Sequence, residues 1–191
     1  MNMPLLALGV LVVIILLFYF IRKSQVKAWS ELAAQTGLLC EAGNPLSPIR
    51  VIGKYRNRNL VMETFRTSSK NTDTCTRIIV GVNNTASLRL TLTEENILTK
   101  IGKKLGGQDI QTGNDAIDKR FIIKGEPETK IQQLLASFDV CQMLLSTPLL
   151  MIEIVGGEIR YEQYVFEKNV KRLQRLFDLL CLLAEGVEKI N

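Results

Sequence analysis

The chain has 191 residues, with 24 Lys+Arg against 19 Asp+Glu, 47% apolar residues and no histidine. That length holds one membrane segment and one domain of ordinary size, and a charged fraction of 23% is that of a folded chain, not a disordered one. The lack of histidine excludes a His-based catalytic triad, a His-ligated metal and a histidine pH switch.

Residues 3–21 form an uncharged apolar run of nineteen residues. As a helix at ~1.5 Å per residue the run spans about 28 Å, close to the hydrocarbon thickness of a bilayer. Tyr19 stands near its end, where an amphipathic ring suits the interface, and Pro4 falls in the first turn, where its missing N–H costs nothing. A cleaved signal peptide would need a basic leader and small residues at the cut, but Phe18, Tyr19, Phe20 and Ile21 occupy that place. The expectation is a transmembrane anchor over 1–23 and a domain over 24–191. Arg22, Lys23 and Lys27 follow the run and no charged side chain precedes it. The positive-inside rule then sets a very short N-terminus outside and the domain in the cytoplasm. Cys40, Cys75, Cys141 and Cys181 are scattered without a CxxC pair and read as reduced thiols. The sequon Asn83-Asn84-Thr85 is a short, common motif and is irrelevant on a cytoplasmic face.

Residues 24–37 read as a short amphipathic helix, with Val26, Trp29, Leu32 and Ala33 at helical spacing and Gly37 as its C-terminal cap. Trp29, the sole tryptophan, is expected to anchor that helix in the core. A loop over 41–48 follows. Strands over 49–55 and 60–66 flank a polar turn at Arg56-Asn57-Arg58-Asn59. A second turn or flexible tip covers 67–73. Residues 74–82 alternate as a third strand, and 87–93 alternate Leu88, Leu90 and Leu92 against polar neighbours as a fourth. Four strands in a meander are the simplest arrangement. Thr93 then caps a helix over 94–105 that ends at Gly106-Gly107.

Residues 108–114 make a polar connection and 121–124 a fifth strand. Pro127 opens a helix carrying Ile131, Leu134 and Leu135. Pro148 precedes a strand over 149–155, joined at Gly156-Gly157 to a strand over 158–163. The last helix spans about 168–189. Its 3–4 face runs through Leu173, Leu176, Phe177, Leu180, Leu183, Ala184 and Val187, and Leu179 and Leu182 widen it. The excess width fits either burial on two sides, with the 94–105 helix as the second cover, or a partner groove at Leu179 and Leu182. Without regular βαβ alternation the class is α+β: a single N-terminal transmembrane helix, then an antiparallel-sheet domain with helices packed on it.

Charge divides along the chain. Residues 22–105 hold 14 basic and 6 acidic side chains, a net of +8, and residues 106–191 hold 10 and 13, a net of −3. Arg50, Lys54, Arg56 and Arg58 crowd the first hairpin, and Lys100, Lys103 and Lys104 crowd one helix end. With Arg22, Lys23 and Lys27 they are the candidate contacts to anionic lipid or to an acidic partner; a plain solvated face is the alternative. None of these clusters carries interleaved aromatics, which argues against nucleic acid.

The sequence offers little for catalysis. No GxGxxG, GxSxG, HExxH or phosphate-loop motif occurs, and nothing calls for a cofactor or metal. The run Gly106-Gly107-Gln108-Asp109-Ile110 reads as a ligand loop or as a helix cap followed by an edge strand. Asp109, Asp115 and Asp118 fall short of a calcium loop and read as a solvated turn. Glu153, Glu158 and Glu162 lie around one hairpin with nothing to mark them as buried.

Several blocks together carry a resemblance: Trp29 with Thr36-Gly37-Leu38; Gly53-Lys54-Tyr55-Arg56-Asn57-Arg58; Thr76-Arg77-Ile78; Lys100-Ile101-Gly102-Lys103 with Gly106-Gly107-Gln108-Asp109-Ile110; Asp118-Lys119-Arg120-Phe121-Ile122-Ile123-Lys124; and Leu176-Phe177-Asp178-Leu179-Leu180. Over nearly its whole length the chain resembles an uncharacterised bacterial family. Its members, often cyanobacterial, join a short membrane anchor to one soluble domain. The family carries no assigned activity. The resemblance implies a cyanobacterium-like host, and so a thylakoid or plasma membrane.

The leading expectation is a membrane-tethered, non-enzymatic module that scaffolds or assists assembly of a membrane protein complex. It contacts lipid through its N-terminal helix and a membrane protein through its domain. The alternatives are an anionic-lipid-binding surface protein and an unrecognised enzyme. The orientation is testable directly: a fluorescent reporter that folds only in the cytoplasm, fused after residue 191, should fluoresce. Activity from an export-dependent phosphatase at the same position would reverse the assignment.

Overall fold

One helix carries both the apolar run and the amphipathic segment. In this computed structural model, which describes residues 3–44, 47–66, 74–94, 110–148 and 151–191, helix α1 runs unbroken over Met3–Thr36. Its 34 residues reach about 51 Å at ~1.5 Å per residue. The sequence pattern divides anchor from domain after residue 23, yet the helix crosses that point intact. Neither Pro nor Gly occurs between residues 10 and 36 to interrupt it. The large apolar side chains from Leu8 to Ile21 are 49–61% exposed, so this stretch projects bare from the domain, as expected of an anchor. It is long and apolar enough to cross a membrane. Further along the same helix Trp29, Leu32 and Ala33 are buried. Gly37, at φ +70°, ends it, and the Leu38 N–H donates to the Ala33 carbonyl at 2.9 Å.

Strands β1 (Leu39–Glu41), β2 (Arg50–Tyr55), β3 (Arg58–Arg66), β4 (Thr74–Gly81) and β5 (Arg89–Glu94) follow. Then come α2 (Asp115–Arg120), β6 (Phe121–Glu126), α3 (Glu128–Leu135), α4 (Phe138–Ser146), β7 (Met151–Val155), β8 (Glu158–Gln163) and α5 (Val170–Lys189). The eight strands form one antiparallel sheet in the order β1-β2-β3-β4-β8-β7-β5-β6. The architecture is α+β, with an N-terminal apolar helix and helices packed on an antiparallel sheet.

The topology departs from a simple meander. β4 pairs with β8, and β5 lies between β7 and β6. The physical reason lies in β5: Leu90 and Leu92 face the core while Thr91 and Thr93 align with Glu153 and Met151 of β7, so the C-terminal hairpin inserts between halves that neighbour in sequence. β1 falls partly in the expected loop and is too short for alternation to reveal. Thr93 is not a helix cap; it is buried inside β5, opposite Ile122 and Met151. The expected 94–105 helix, the 67–73 turn and residues 106–109 of the glycine loop lie outside the described residues, apart from Glu94, which ends β5. Ile110 is buried, and its N–H donates to the Ile123 carbonyl at 2.8 Å. The single helix expected after Pro127 is two, broken at Ala136–Ser137, and α2 is an additional short helix capped by the Asn114 side chain.

α5 is the central helix of the layer. Leu173, Leu176, Phe177, Leu179, Leu180 and Cys181 are all 0% exposed. It packs on β4 and β8, with α1 against it and α4 and α3 covering more of its surface. Leu179 is therefore core, not a partner contact, and two-sided burial within the domain explains the wide apolar arc. The described second cover comes from α1 and α4. Leu182 is half-buried against the same core.

Trp29 locks α1 to this layer. Its indole N–H donates to the Glu167 carbonyl at 2.9 Å, and its ring stacks on Phe166 at 4.9 Å between centroids. Beneath it, Gln163 accepts from Tyr161 at 2.7 Å and donates toward Glu167, and Glu167 pairs with Arg172 at 2.8 Å. Burial pushes the Tyr161 hydroxyl up to about 12, so it remains a donor. Truncation of Trp29 to Ala is expected to cost about 3–5 kcal/mol of stability, measured by denaturant titration of the full chain in micelles. A loss below about 1 kcal/mol would mean that α1 is not part of the cooperative core.

Candidate membrane-proximal interface

Three surfaces carry the side chains that the sequence singles out. The first is the joint where the apolar part of α1 meets the domain. Arg22, the first charge after the run, donates through Nη2 to the carbonyls of Ala42, Asn44 and Ser47, each at 2.9 Å. The segment after β1 is thereby tied to the helix exit. Lys23 and Lys27 are exposed beside it, with the Lys23 ammonium 6.0 Å from the centre of the Tyr19 ring. Lys168 is also exposed there and reaches the Ser24 hydroxyl at 3.4 Å.

Between this joint and the near ends of the strands lies a cleft of about 340 Å³. Phe18, Ile21 and Pro48 give it apolar walls; Arg22, Gln25 and Arg66 supply polar groups, and no carboxylate among the described residues lines it. The sequence pattern does not single out Gln25 or Arg66, because a helix and a strand end forty residues apart in sequence meet only through the fold.

The second surface is the β2–β3 hairpin. Arg56 and Asn57, at φ 46° and 62°, form its two-residue turn. The six residues of β2 carry the chain roughly 20 Å from the joint at ~3.3 Å each, so the turn lies at the far end of the domain. Its arginines serve the fold. Arg56 pairs with Asp178 at 2.7 Å, and Arg58 grips Glu188 through two bonds of 2.7 and 2.6 Å. Both carboxylates belong to α5. Lys54 is exposed on the same hairpin. Lys100, Lys103 and Lys104 lie outside the described residues. The described members of the basic set therefore do not converge on one patch.

The third surface is the sheet face opposite the helix layer. Its strands carry a charged row: Arg50 meets Glu63 at 3.5 Å, and Arg77 meets Glu63 at 3.4 Å and Glu162 at 2.7 Å. Arg160 meets Glu153 at 3.7 Å and Glu158 at 3.2 Å. The carboxylates around the C-terminal hairpin are thus paired with arginines. Next to the charged row runs an apolar one: Leu39, Ile52, Val61 and Ile79 are successive register partners across four strands. Leu39 is 60% exposed and the other three are partly exposed. The signal for this row is present in the sequence: Val51-Ile52, Leu60-Val61-Met62 and Ile78-Ile79-Val80 break strict alternation, as strands covered on both faces do.

Elsewhere, Asp118 accepts from the Thr112 N–H and hydroxyl and from the Gly113 N–H, so it closes a loop. Among the described residues no group of three potential ligands is placed to hold a metal ion. None of the four cysteines is in a disulfide, and burial pushes the Cys181 thiol up to about 11 and the Cys141 thiol upward.

No protein-family model and no curated protein matches this chain. Among solved structures it is similar to the crystal structure of the mycobacterial trehalose monomycolate transport factor A, TtfA. The TM-score is 0.53 at 9% identity, over 87% of this chain and 93% of that one, which is a likeness of fold.

The Arg58 guanidinium holds the Glu188 carboxyl down to about 2, below the ordinary 4.5. A depressed carboxylate adds stability above its unfolded value and loses it as pH falls through the folded one. Arg58→Ala should therefore cost about 1–2 kcal/mol at neutral pH, the pair being partly solvated. As pH falls from about 4.5 to about 2, the variant's melting temperature should drop less steeply than that of the wild type. Parallel slopes in that window would show the pair to contribute nothing.

Proposed function

We propose that this chain is a membrane-tethered, non-enzymatic interaction module that scaffolds or assists the assembly of a membrane protein complex. One observation carries the reading: α1 is bare and apolar at one end and part of the core at the other, without a break. A domain joined in this way has no flexible linker to let it swing. It is held at the bilayer surface in one orientation, and it offers the sheet face opposite its described helices to a neighbour in the same membrane. The apolar row Leu39, Ile52, Val61 and Ile79, rimmed by paired charges, has the make-up of a protein-binding patch.

The same reading takes the anchor as a single pass with the domain on the cytoplasmic side, from Arg22, Lys23 and Lys27 at its exit. By the family resemblance the membrane is a thylakoid or plasma membrane, and in a thylakoid the complex is photosynthetic. The fold shared with TtfA, a protein named as a transport factor, is compatible with a membrane-associated role.

The test is purification of the full chain from native membranes, beside the variant Val61→Lys/Ile79→Lys. Both substitutions lie on the face away from the core, so the variant should remain folded and membrane-bound. The wild type is expected to co-purify a membrane protein in fixed stoichiometry, and the variant to lose it. Bait alone from the wild type, or an unchanged complex with the variant, would count against this reading. A second reading, contact with anionic lipid, is favoured by the cleft beside Arg22.

A further inference from the structure

The cleft at the helix exit has a wall that no soluble protein needs. Phe18 and Ile21 belong to the apolar run, with Phe18 51% and Ile21 52% exposed, and they form one side of it. The other sides come from residues 47–49 and from the strand ends at residues 64–66 and 74. If the run lies in hydrocarbon, Arg22 and the cleft beside it lie at the level of the headgroups.

Among the described residues its lining holds two arginines and no carboxylate. Arg22 is held in place by three carbonyls on Nη2 alone. Its Nε and Nη1 donate to no protein group among the described residues, so single N–H donors of a held guanidinium are left for another acceptor. Arg66 is exposed and lines the same cleft. Gln25, one turn beyond Ile21 on the same helix, adds an amide to the lining. The volume of about 340 Å³ is that of a small ligand site. A phosphate diester suits two guanidinium groups lining one cleft, and an acyl chain suits a wall of Phe and Ile.

We infer that this cleft is a binding site for one anionic phospholipid, its phosphate between Arg22 and Arg66 and the start of one acyl chain along Phe18 and Ile21. The inference rests on α1 being embedded in the bilayer. It does not need a protein partner. Arg22 then serves twice, since the carbonyls that order its side chain also fix a phosphate site at the membrane surface.

The experiment uses the purified full chain, without partner, in nanodiscs of equal parts phosphatidylglycerol and phosphatidylcholine. Native mass spectrometry after release reads which lipid stays bound. The wild type is expected to retain one phosphatidylglycerol several-fold more often than phosphatidylcholine. Arg66→Gln should reduce that retention several-fold, and Gln25→Trp, which fills the cleft, should abolish it. Circular dichroism melts of both variants should match the wild type; should one not fold, the other decides. Equal retention of the two lipids by the wild type, or undiminished retention by folded variants, overturns the inference. Millimolar inorganic phosphate should leave the lipid in place; displacement by it would mean a bare anion site and would also overturn the inference. Because no partner is present, failure here and failure of the assembly reading are separate results.

Discussion

The seat of Trp29 is the constraint on which the rest of the structure depends. A helix that runs from a bare apolar stretch into a domain transmits the geometry of one to the other only if its far end is immobile. Trp29 supplies that fixity by full burial, by stacking on Phe166 and by its bond to the Glu167 carbonyl. The 163–169 segment it rests on is irregular, and irregular backbone inside a core must find partners for its polar groups. It finds them in Thr76, which donates to the Val165 carbonyl and accepts from the Glu167 N–H, and in Glu167, whose carboxylate takes the Asn169 N–H. The side chains of four elements thus converge on one turn.

The division of charge along the sequence is resolved by the same fold. The N-terminal half is basic and the C-terminal half acidic, and the sheet brings them face to face. Arg56 and Arg58 find Asp178 and Glu188 on the last helix, and Arg77 finds Glu162 on the last strand. Much of the apparent basic surface is therefore one half of an internal set of ion pairs. Exposed basic side chains remain on several elements, Lys54, Lys119, Lys171, Arg175 and Lys189 among them, and Lys23, Lys27, Lys168 and Arg66 stand where α1 enters the domain. This is the end that a membrane anchor would bring closest to lipid headgroups.

The two faces of the sheet are unequal for a reason of register. Leu60, Met62, Ile78 and Val80 point to the helix layer, and the intervening Val61 and Ile79 must point away from it. An apolar residue on the outward side is ordinary when single. Four in consecutive register make a stripe, and the stripe runs across β1 to β4, the half of the sheet that begins from α1. The cleft beside Arg22 and the stripe are thus separate surfaces, one at the strand ends and one on the strand faces.

Local patterns in the sequence determined the apolar anchor segment, the identity of most strands, the last helix and the α+β class, because each rests on periodicity within a few residues. Gly37 as a cap and the Gly156-Gly157 turn were readable for the same reason: a positive φ at a chain reversal selects glycine, and Gly37 and Gly156 take φ 70° and 57°. Tertiary structure alone decided the rest. The order of strands depends on which pleated faces can be covered together, and nothing within β4 or β5 encodes that β8 and β7 come between them. Leu179 looked available to a partner because helical spacing counts residues on a face but not the neighbours around it. Arg56 and Arg58 looked like surface charge because their carboxylates lie some 120 to 130 residues away in the chain. The cleft beside Arg22 belongs to this class as well. Its walls come from a helix, a loop and two strand ends, and only packing brings such segments to one place.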